Sequence, residues 1–147
     1  MPQSITNLPV GALVKDTGTT IYNKPIVWKL ADKQHTGYPA NFVTLVSENI
    51  IKLLAFDAME ASNSDSNRRS YGNNRYSFSN LLLWLNSEGT NWYKAKHNAD
   101  APPSSANVWS NHNPYDTQAG FLTSFSAQMK AALLETTQLV ARATVDG

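Results

Sequence analysis

Apolar and polar residues alternate along much of the first 60 residues, a pattern that predicts short β-strands separated by turns. The clearest case is residues 24–33, where Ile26, Trp28 and Leu30 fall on one face of a predicted strand. Further strands are predicted over residues 9–15, 42–46 and 50–56, and a turn over residues 16–19. Together these elements predict a small, twisted antiparallel sheet.

Two stretches have the periodicity of an α-helix. In residues 80–86, Leu81, Trp84 and Leu85 share one face, and Ser79 is placed to cap the first turn. Residues 121–136 repeat apolar side chains at steps of three and four, and Ser126 is placed to begin a second segment after a kink. Residues 139–145 alternate again and predict a final strand.

Long polar segments connect these elements. Residues 57–76 and 87–116 read as irregular loops, and eleven asparagines lie between Asn63 and Asn113. Loops of that length are usually functional or mobile. We therefore expect an α+β fold, with a sheet, two helices and long irregular loops in a single domain over residues 1–147.

The composition of the chain argues against several classes of partner and of catalytic or metal site. Only 16% of residues are charged and the net charge is +1, without a basic run, which argues against a nucleic-acid partner. The absence of cysteine excludes disulfides, iron–sulfur clusters, thiolate zinc sites and thiol catalysis. No stretch approaches the ~20 apolar residues of a membrane span, so no membrane insertion is expected. Nothing in the sequence implies a cofactor.

Aromatic and amide side chains of the second loop are the candidate ligand-binding residues. A flat ring can cover the apolar face of a sugar, and an asparagine amide both donates and accepts hydrogen bonds. The residues are Trp92, Tyr93, Asn107, Trp109, Asn111, Asn113 and Tyr115. The alternative is that the rings pin a long loop to the domain, which offsets the entropy of ordering it.

Other candidate sites are weaker. Asp57, Glu60 and Asp65 could offer oxygen ligands to Ca²⁺, but their spacing matches no known calcium loop, so no metal site is predicted. Three arginines form the one dense positive cluster, and we expect them to bond loop carbonyls or a partner's carboxylate. They are Arg68, Arg69 and Arg75.

Two histidine–carboxylate pairs invite a catalytic interpretation: His97 with Asp100, and His112 with Asp116. An imidazole held by a carboxylate can act as a base for a serine. The sequence has no Gly-x-Ser-x-Gly elbow, and nothing in it brings the three groups together. Surface histidines are the favoured interpretation, so no catalytic residue is predicted and the chain is expected not to be an enzyme.

Several segments resemble a domain family of Gram-positive bacteria and their phages, often found in tail or surface proteins. They are residues 8–16, 26–29, 52–57, 71–76, 79–86 and 121–134. The family is distantly similar in layout to C-type-lectin-like domains, which present long loops on a small sheet flanked by two helices. The pattern normally continues beyond residue 145, so either this chain is incomplete or another subunit completes the sheet.

Leu82 and Leu83 stand where the family usually has a basic or polar residue. Leucines on the outer helix face would be exposed in a monomer, and we expect them at a subunit interface.

The resemblance implies a non-enzymatic structural or receptor-binding module of a phage or phage-tail-like particle. It would reside in a virion or at the cell surface. Its partners would be other virion or surface-protein subunits and a cell-surface glycan. The alternatives are a bacterial surface adhesin or carbohydrate-binding domain, and a cell-wall hydrolase.

Overall fold

A computed structural model describes residues 4–137. These residues form two compact units: residues 4–52 with Ser124–Thr136 (the sheet unit), and Leu53–Thr123 (the loop unit). The single domain predicted over residues 1–147 stays a prediction, since two compact units can belong to one domain. The strand predicted over residues 139–145 lies outside the described residues.

The sheet unit is built on three antiparallel strands in the order β1-β2-β3: β1 (Leu13–Ile21), β2 (Lys24–Asp32) and β3 (Thr44–Ser47). Tyr22 and Asn23 join β1 to β2, and both have positive φ, at 52° and 61°. Two successive left-handed residues make a tight hairpin whose twist matches the twist of its strands. The strands predicted over residues 9–15, 24–33 and 42–46 are thus present, with shifted ends.

The turn predicted over residues 16–19 is wrong, because these residues lie inside β1. The pairing register between β1 and β2 shifts there, as it does at a β-bulge. The Asp16 carboxylate accepts hydrogen bonds from Gly18 N (3.0 Å) and Thr19 Oγ1 (2.6 Å). Local bonding of this kind gives a bulge the same sequence signature as a turn.

The strand predicted over residues 50–56 is also wrong, since none of these residues belongs to the described sheet. Ile50 is 84% exposed. Further on, Leu54 and Ala55 pack against the aromatic core of the loop unit, and Ala55 N donates to Asn113 O (3.3 Å). The apolar run thus anchors a loop instead of pairing with a strand.

The helix predicted over residues 121–136 is split. A 3₁₀ turn covers Phe121–Ser124, and α3 covers Ala127–Ala132. Ser126 Oγ accepts from Met129 N (3.0 Å), so the predicted cap and break at Ser126 are confirmed. The helix ends before residue 136, and residues 133–137 are exposed.

The core of the sheet unit lies on the face of β2 that the alternation predicted. Ile26 and Leu30 are buried, and Trp28 meets the ring of Phe125 edge-on, with the ring centroids 6.1 Å apart. Ser126 N donates to Thr19 Oγ1 (3.0 Å), and Ser126 Oγ bonds the Asp16 carboxylate. The segment that begins α3 is therefore fastened to β1 by a polar clamp.

The loop unit contains two short helices. α2 (Asn80–Leu85) is where the periodicity predicted it, and Ser79 Oγ accepts from Leu82 N (3.2 Å). α1 (Ser66–Tyr71) lies in the segment predicted as irregular. Its sequence, SNRRSY, has no apolar face, so periodicity could not reveal it. The Asp65 carboxylate caps it through Asn67 N and Arg68 N.

The α+β class, with an antiparallel sheet, is confirmed, and the described residues contain three short α-helices where two were predicted. The C-type-lectin-like layout stays a prediction. Among residues 4–137, no helix is long and apolar enough to cross a membrane.

Candidate functional site

The loop unit is organised around three aromatic rings that pack against one another. Trp92 and Tyr115 lie parallel, with centroids 5.3 Å apart, and Trp84 meets Tyr115 edge-on at 5.9 Å. Trp92 is 5% exposed and Tyr115 is fully buried. The prediction that Trp92 and Tyr115 present their faces to a ligand is therefore wrong. Both rings pin the loop to the core, which was the alternative interpretation.

Indole N–H groups tie the same core to the loop backbone. Trp84 Nε1 donates to Ala119 O (2.9 Å), and Trp92 Nε1 donates to Gln118 O (2.8 Å). Each buried indole therefore has its polar atom satisfied by a loop carbonyl, so the rings fix the backbone as well as filling space.

Two more of the predicted ligand-binding residues lie within the loop structure. Tyr93 is half-buried against the aromatic core, and burial raises its pKa to about 12, with the nearby Asp100 carboxylate adding to the shift. Asn107 is half-buried; its Nδ2 donates to Pro102 O (3.1 Å) and its carbonyl accepts from Met59 N (2.6 Å). Asn107 therefore links two segments of the loop unit through hydrogen bonds.

Asp57 joins three parts of the loop unit. Its carboxylate accepts from the backbone N–H and the side-chain amide of both Asn73 and Asn80, at 2.5 to 2.9 Å. Burial raises the pKa of Asp57, and the N–H donors oppose that shift. The partners are 16 and 23 residues away along the chain, so no local pattern predicts them.

The histidines were expected at the surface, which is confirmed for His112, whereas His97 is half-buried. His97 Nε2 lies 3.3 Å from Oε1 of the fully buried Glu60, whose other oxygen accepts from the Asn63 amide. Asp100, the partner of His97 in the catalytic interpretation that was not favoured, accepts from Lys96 N (2.7 Å). His112 is exposed. Among residues 4–137, no group of three or more histidine and acidic side chains could hold a metal ion.

The remaining predicted ligand-binding residues lie together on an exposed turn, residues 109–113, which we call the Trp109 tip. Trp109 is 57% exposed, and Asn111 and Asn113 are exposed as well. Val108 and Tyr115, which flank the tip, are 1% and 0% exposed. Two buried anchors thus hold a short, exposed segment between them.

The backbone of the Trp109 tip is unusual. Ser110, Asn111 and Asn113 all have positive φ, at 49°, 59° and 54°. Asparagine tolerates this left-handed conformation, but serine does so less well, and such residues cost free energy that surrounding structure must offset. Strained backbone of this kind clusters at functional sites.

Tyr71, the last residue of α1, lies against the tip. Its ring and that of Trp109 have centroids 4.8 Å apart and planes tilted by 45°, and Tyr71 is also 57% exposed. The next residue, Gly72, has φ 74°, and a Cβ there would clash with Ala58 O. Tyr71 was not among the predicted site residues. Its position directly before a turn glycine was the one sequence signal available.

The leucines predicted at a subunit interface are not fully exposed. Leu82 and Leu83 are both half-buried, and Leu83 packs against the aromatic core. The premise that both lie free on the outer helix face is therefore wrong, because a helix of six residues sunk among loops has little outer face. The interface itself stays a prediction.

The described residues have an α+β fold, and buried side chains of the loop unit hold the irregular backbone that carries the Trp109 tip. The profile of the family DUF6273, described as a domain of unknown function, matches residues 41–147. The chain belongs to this family. The match begins after β1 and β2, so it covers β3 and the whole loop unit. No curated protein and no solved structure gives a significant match to the chain.

Proposed function

We propose that this chain is a non-enzymatic recognition module that binds a cell-surface glycan through Tyr71 and the Trp109 tip. The observation that carries the proposal is the pair of exposed rings, each 57% exposed and 4.8 Å apart. Large aromatic side chains held at a surface expose apolar area that a partner can cover. Sugars suit such rings because their apolar faces stack and their hydroxyls reach neighbouring polar groups.

The side chains beside the rings support a polar, hydroxyl-rich ligand. Asn111 and Asn113 are exposed, and each amide can donate and accept at once, as hydroxyl recognition requires. Residues 109–113 contain no carboxylate and no Lys or Arg. Recognition at the tip itself would therefore depend on stacking and hydrogen bonds.

The fixed backbone of the tip also supports binding. A ligand that meets a preformed surface does not have to offset the entropy of ordering a loop. Val108 and Tyr115 hold the ends of the tip in the core, and the strained residues between them fix its shape.

The carrier of the module is proposed from the sequence resemblance: a phage or phage-tail-like particle, with other virion subunits as partners. A bacterial surface adhesin or carbohydrate-binding domain would use the same surface. Genes for tail or baseplate components beside the gene for this chain would favour the particle, whereas a cell-wall anchoring gene context would favour the adhesin.

The glycan proposal is tested by screening the purified chain against an array of bacterial surface polysaccharides, followed by calorimetry on the strongest hit. We expect Trp109→Ala and Tyr71→Ala each to weaken binding at least about 10-fold, as truncation of an aromatic anchor typically does. Tyr22→Ala is the matched control, because it removes a ring that is 72% exposed in the sheet unit. Binding that survives both loop-unit substitutions would overturn the proposal.

A cell-wall hydrolase is the second candidate, and the contact between Glu60 and His97 favours it. An imidazole beside a buried carboxylate has the arrangement of groups that general acid–base catalysis uses. Release of soluble fragments from purified peptidoglycan, abolished by His97→Ala, would establish this activity. Under the main proposal the chain releases none.

A further inference from the structure

Helix α1 carries an arginine on the same face as the ring pair. Arg68 and Tyr71 are three residues apart on α1, a spacing that makes side chains neighbours on one helix face. Tyr71 in turn contacts Trp109. A cation therefore accompanies the two exposed rings.

The fold uses the two arginines of α1 differently. Arg69 Nη1 donates to Asn63 O and Ser64 O, both at 2.9 Å, so its guanidinium closes the loop before the helix. Within residues 4–137, the Arg68 side chain makes no hydrogen bond, and its described electrostatic partner is the Asp65 carboxylate. That carboxylate already accepts from the backbone N–H groups of Asn67 and Arg68 as the helix cap.

The half-buried position of Arg68 restricts its reach and so lowers the entropy lost when it binds. Its guanidinium is a planar fork of N–H donors that matches the two oxygens of a carboxylate. The neighbouring rings match the apolar face of a sugar. A carboxylated sugar satisfies both at once.

We infer that the glycan bound at Tyr71 and Trp109 is acidic, and that Arg68 holds its carboxylate by paired hydrogen bonds. This inference rests on the proposed function and adds the class of ligand to it. Residues 109–113 carry no carboxylate that would repel such a group, and the Asp65 carboxylate near Arg68 is held by the backbone N–H groups of the helix cap. Binding would combine a stacking contribution that is indifferent to salt with an ionic contribution that salt weakens.

Calorimetry with three probes tests the inference: an oligosaccharide of uronic acids, its carboxyl-reduced neutral counterpart, and a phosphate-bearing glycan. We expect the uronic oligosaccharide to bind at least about 10-fold tighter than the neutral one, the scale of a charged hydrogen-bonded pair. Arg68→Gln should remove that preference by weakening binding of the uronic oligosaccharide until it matches that of the neutral one. Raising the NaCl concentration from 50 to 300 mM shortens the Debye length by a factor of about two, and should therefore reduce the preference in the unmodified chain.

Two further variants separate the geometry of Arg68 from its charge and from general effects. Arg68→Lys keeps the charge without the fork and should retain only part of the preference. Lys24→Gln removes an exposed positive charge from the sheet unit and should change nothing. Each variant is compared with the unmodified chain in urea unfolding, so that a lost preference is interpreted only where the fold is intact.

The outcomes separate this inference from the proposed function. Equal binding of the acidic and neutral probes, still dependent on Trp109, would overturn the inference and leave the glycan proposal standing. So would tighter binding of the phosphate-bearing glycan than of the uronic one. No binding of any of the three, nor of any array glycan, would overturn both.

Discussion

Each of the two compact units is stabilised internally by a different kind of hydrogen bond. In the sheet unit, backbone hydrogen bonds join the central strand β2 to β1 on one side and to β3 on the other. In the loop unit, Leu53–Thr123, regular structure is limited to short helical segments. There, side chains bond backbone groups: two indoles to carbonyls and the Asp57 carboxylate to two N–H groups. Irregular backbone can thus be fixed without strands, provided that buried polar side chains serve as its partners.

The largest expected effect comes from removing a ring of the aromatic core. Trp92→Ala should lower the free energy of unfolding by about 3–5 kcal/mol, because it leaves a cavity beside Tyr115 and removes the indole N–H that donates to Gln118 O. Trp109→Ala should stay within about 0.5 kcal/mol of the unmodified chain, as surface substitutions usually do. Urea unfolding of both variants makes the comparison. Similar losses in the two would contradict the division between core and tip.

Removing the Asp57 carboxylate should have the next largest effect. Asp57→Ala leaves buried N–H donors of Asn73 and Asn80 without an acceptor, and we expect a loss of about 3 kcal/mol, since each unsatisfied group costs about 1–3 kcal/mol. Asp65→Ala is the control, because it removes an exposed carboxylate that caps α1 and faces Arg68, and the loss of a cap costs about 1 kcal/mol. If Asp57→Ala lowers the free energy of unfolding no more than the control does, the hydrogen bonds of Asp57 do not stabilise the loop unit.

Substitution of Gly72 tests how tightly the loop unit is packed next to Tyr71, where the backbone of Ala58 comes close to Gly72. Gly72→Ala combines a positive φ with a clash against Ala58 O, and we expect a loss of about 2–3 kcal/mol. Gly37→Ala in the sheet unit has a similar φ of 90° but no atom within 4 Å of its Cβ, and should cost about 1 kcal/mol. Thermal unfolding of the pair measures the difference. Equal losses would mean that the backbone around Gly72 yields.

The smallest effect is the pH dependence of the polar clamp in the sheet unit. The Ser126 hydroxyl, then the Thr19 hydroxyl and the Gly18 N–H, lower the pKa of Asp16 below its usual range. The stabilisation is therefore present above the pKa of the unfolded chain, about 4, and is lost as the pH falls through the lowered value. The amide N–H of Met129 reports it by NMR. Asp16→Asn should abolish the transition; an unchanged transition would assign it to another group.

The sheet unit was largely predictable, and its errors were local. Alternation located β2 and its buried face, because a strand with one face on a core repeats every second residue. The sequence did not indicate the hairpin turn, because Tyr22-Asn23 contains no glycine, although both residues have positive φ. The break at Ser126 was predictable because a serine cap acts within three residues.

The loop unit was predictable at α2 and at Arg69, which bonds loop carbonyls as expected. Other contacts join residues far apart in sequence, such as Asp57 with Asn80, and no periodicity encodes them. Trp92 and Trp109 lie in the same polar loop, and composition alone could not tell which one the core would take. Their surroundings differ only after folding, when Trp92 stacks on Tyr115 and Trp109 meets the exposed Tyr71.

We propose that the exposed Trp109 contributes to ligand binding and not to the stability of the loop unit. The most direct measurement determines both quantities on one variant: the free energy of unfolding of Trp109→Ala and its affinity for the best glycan from the array. We expect stability within about 0.5 kcal/mol of the unmodified chain and affinity reduced at least about 10-fold. Unchanged affinity, or a stability loss as large as that of Trp92→Ala, would contradict the account.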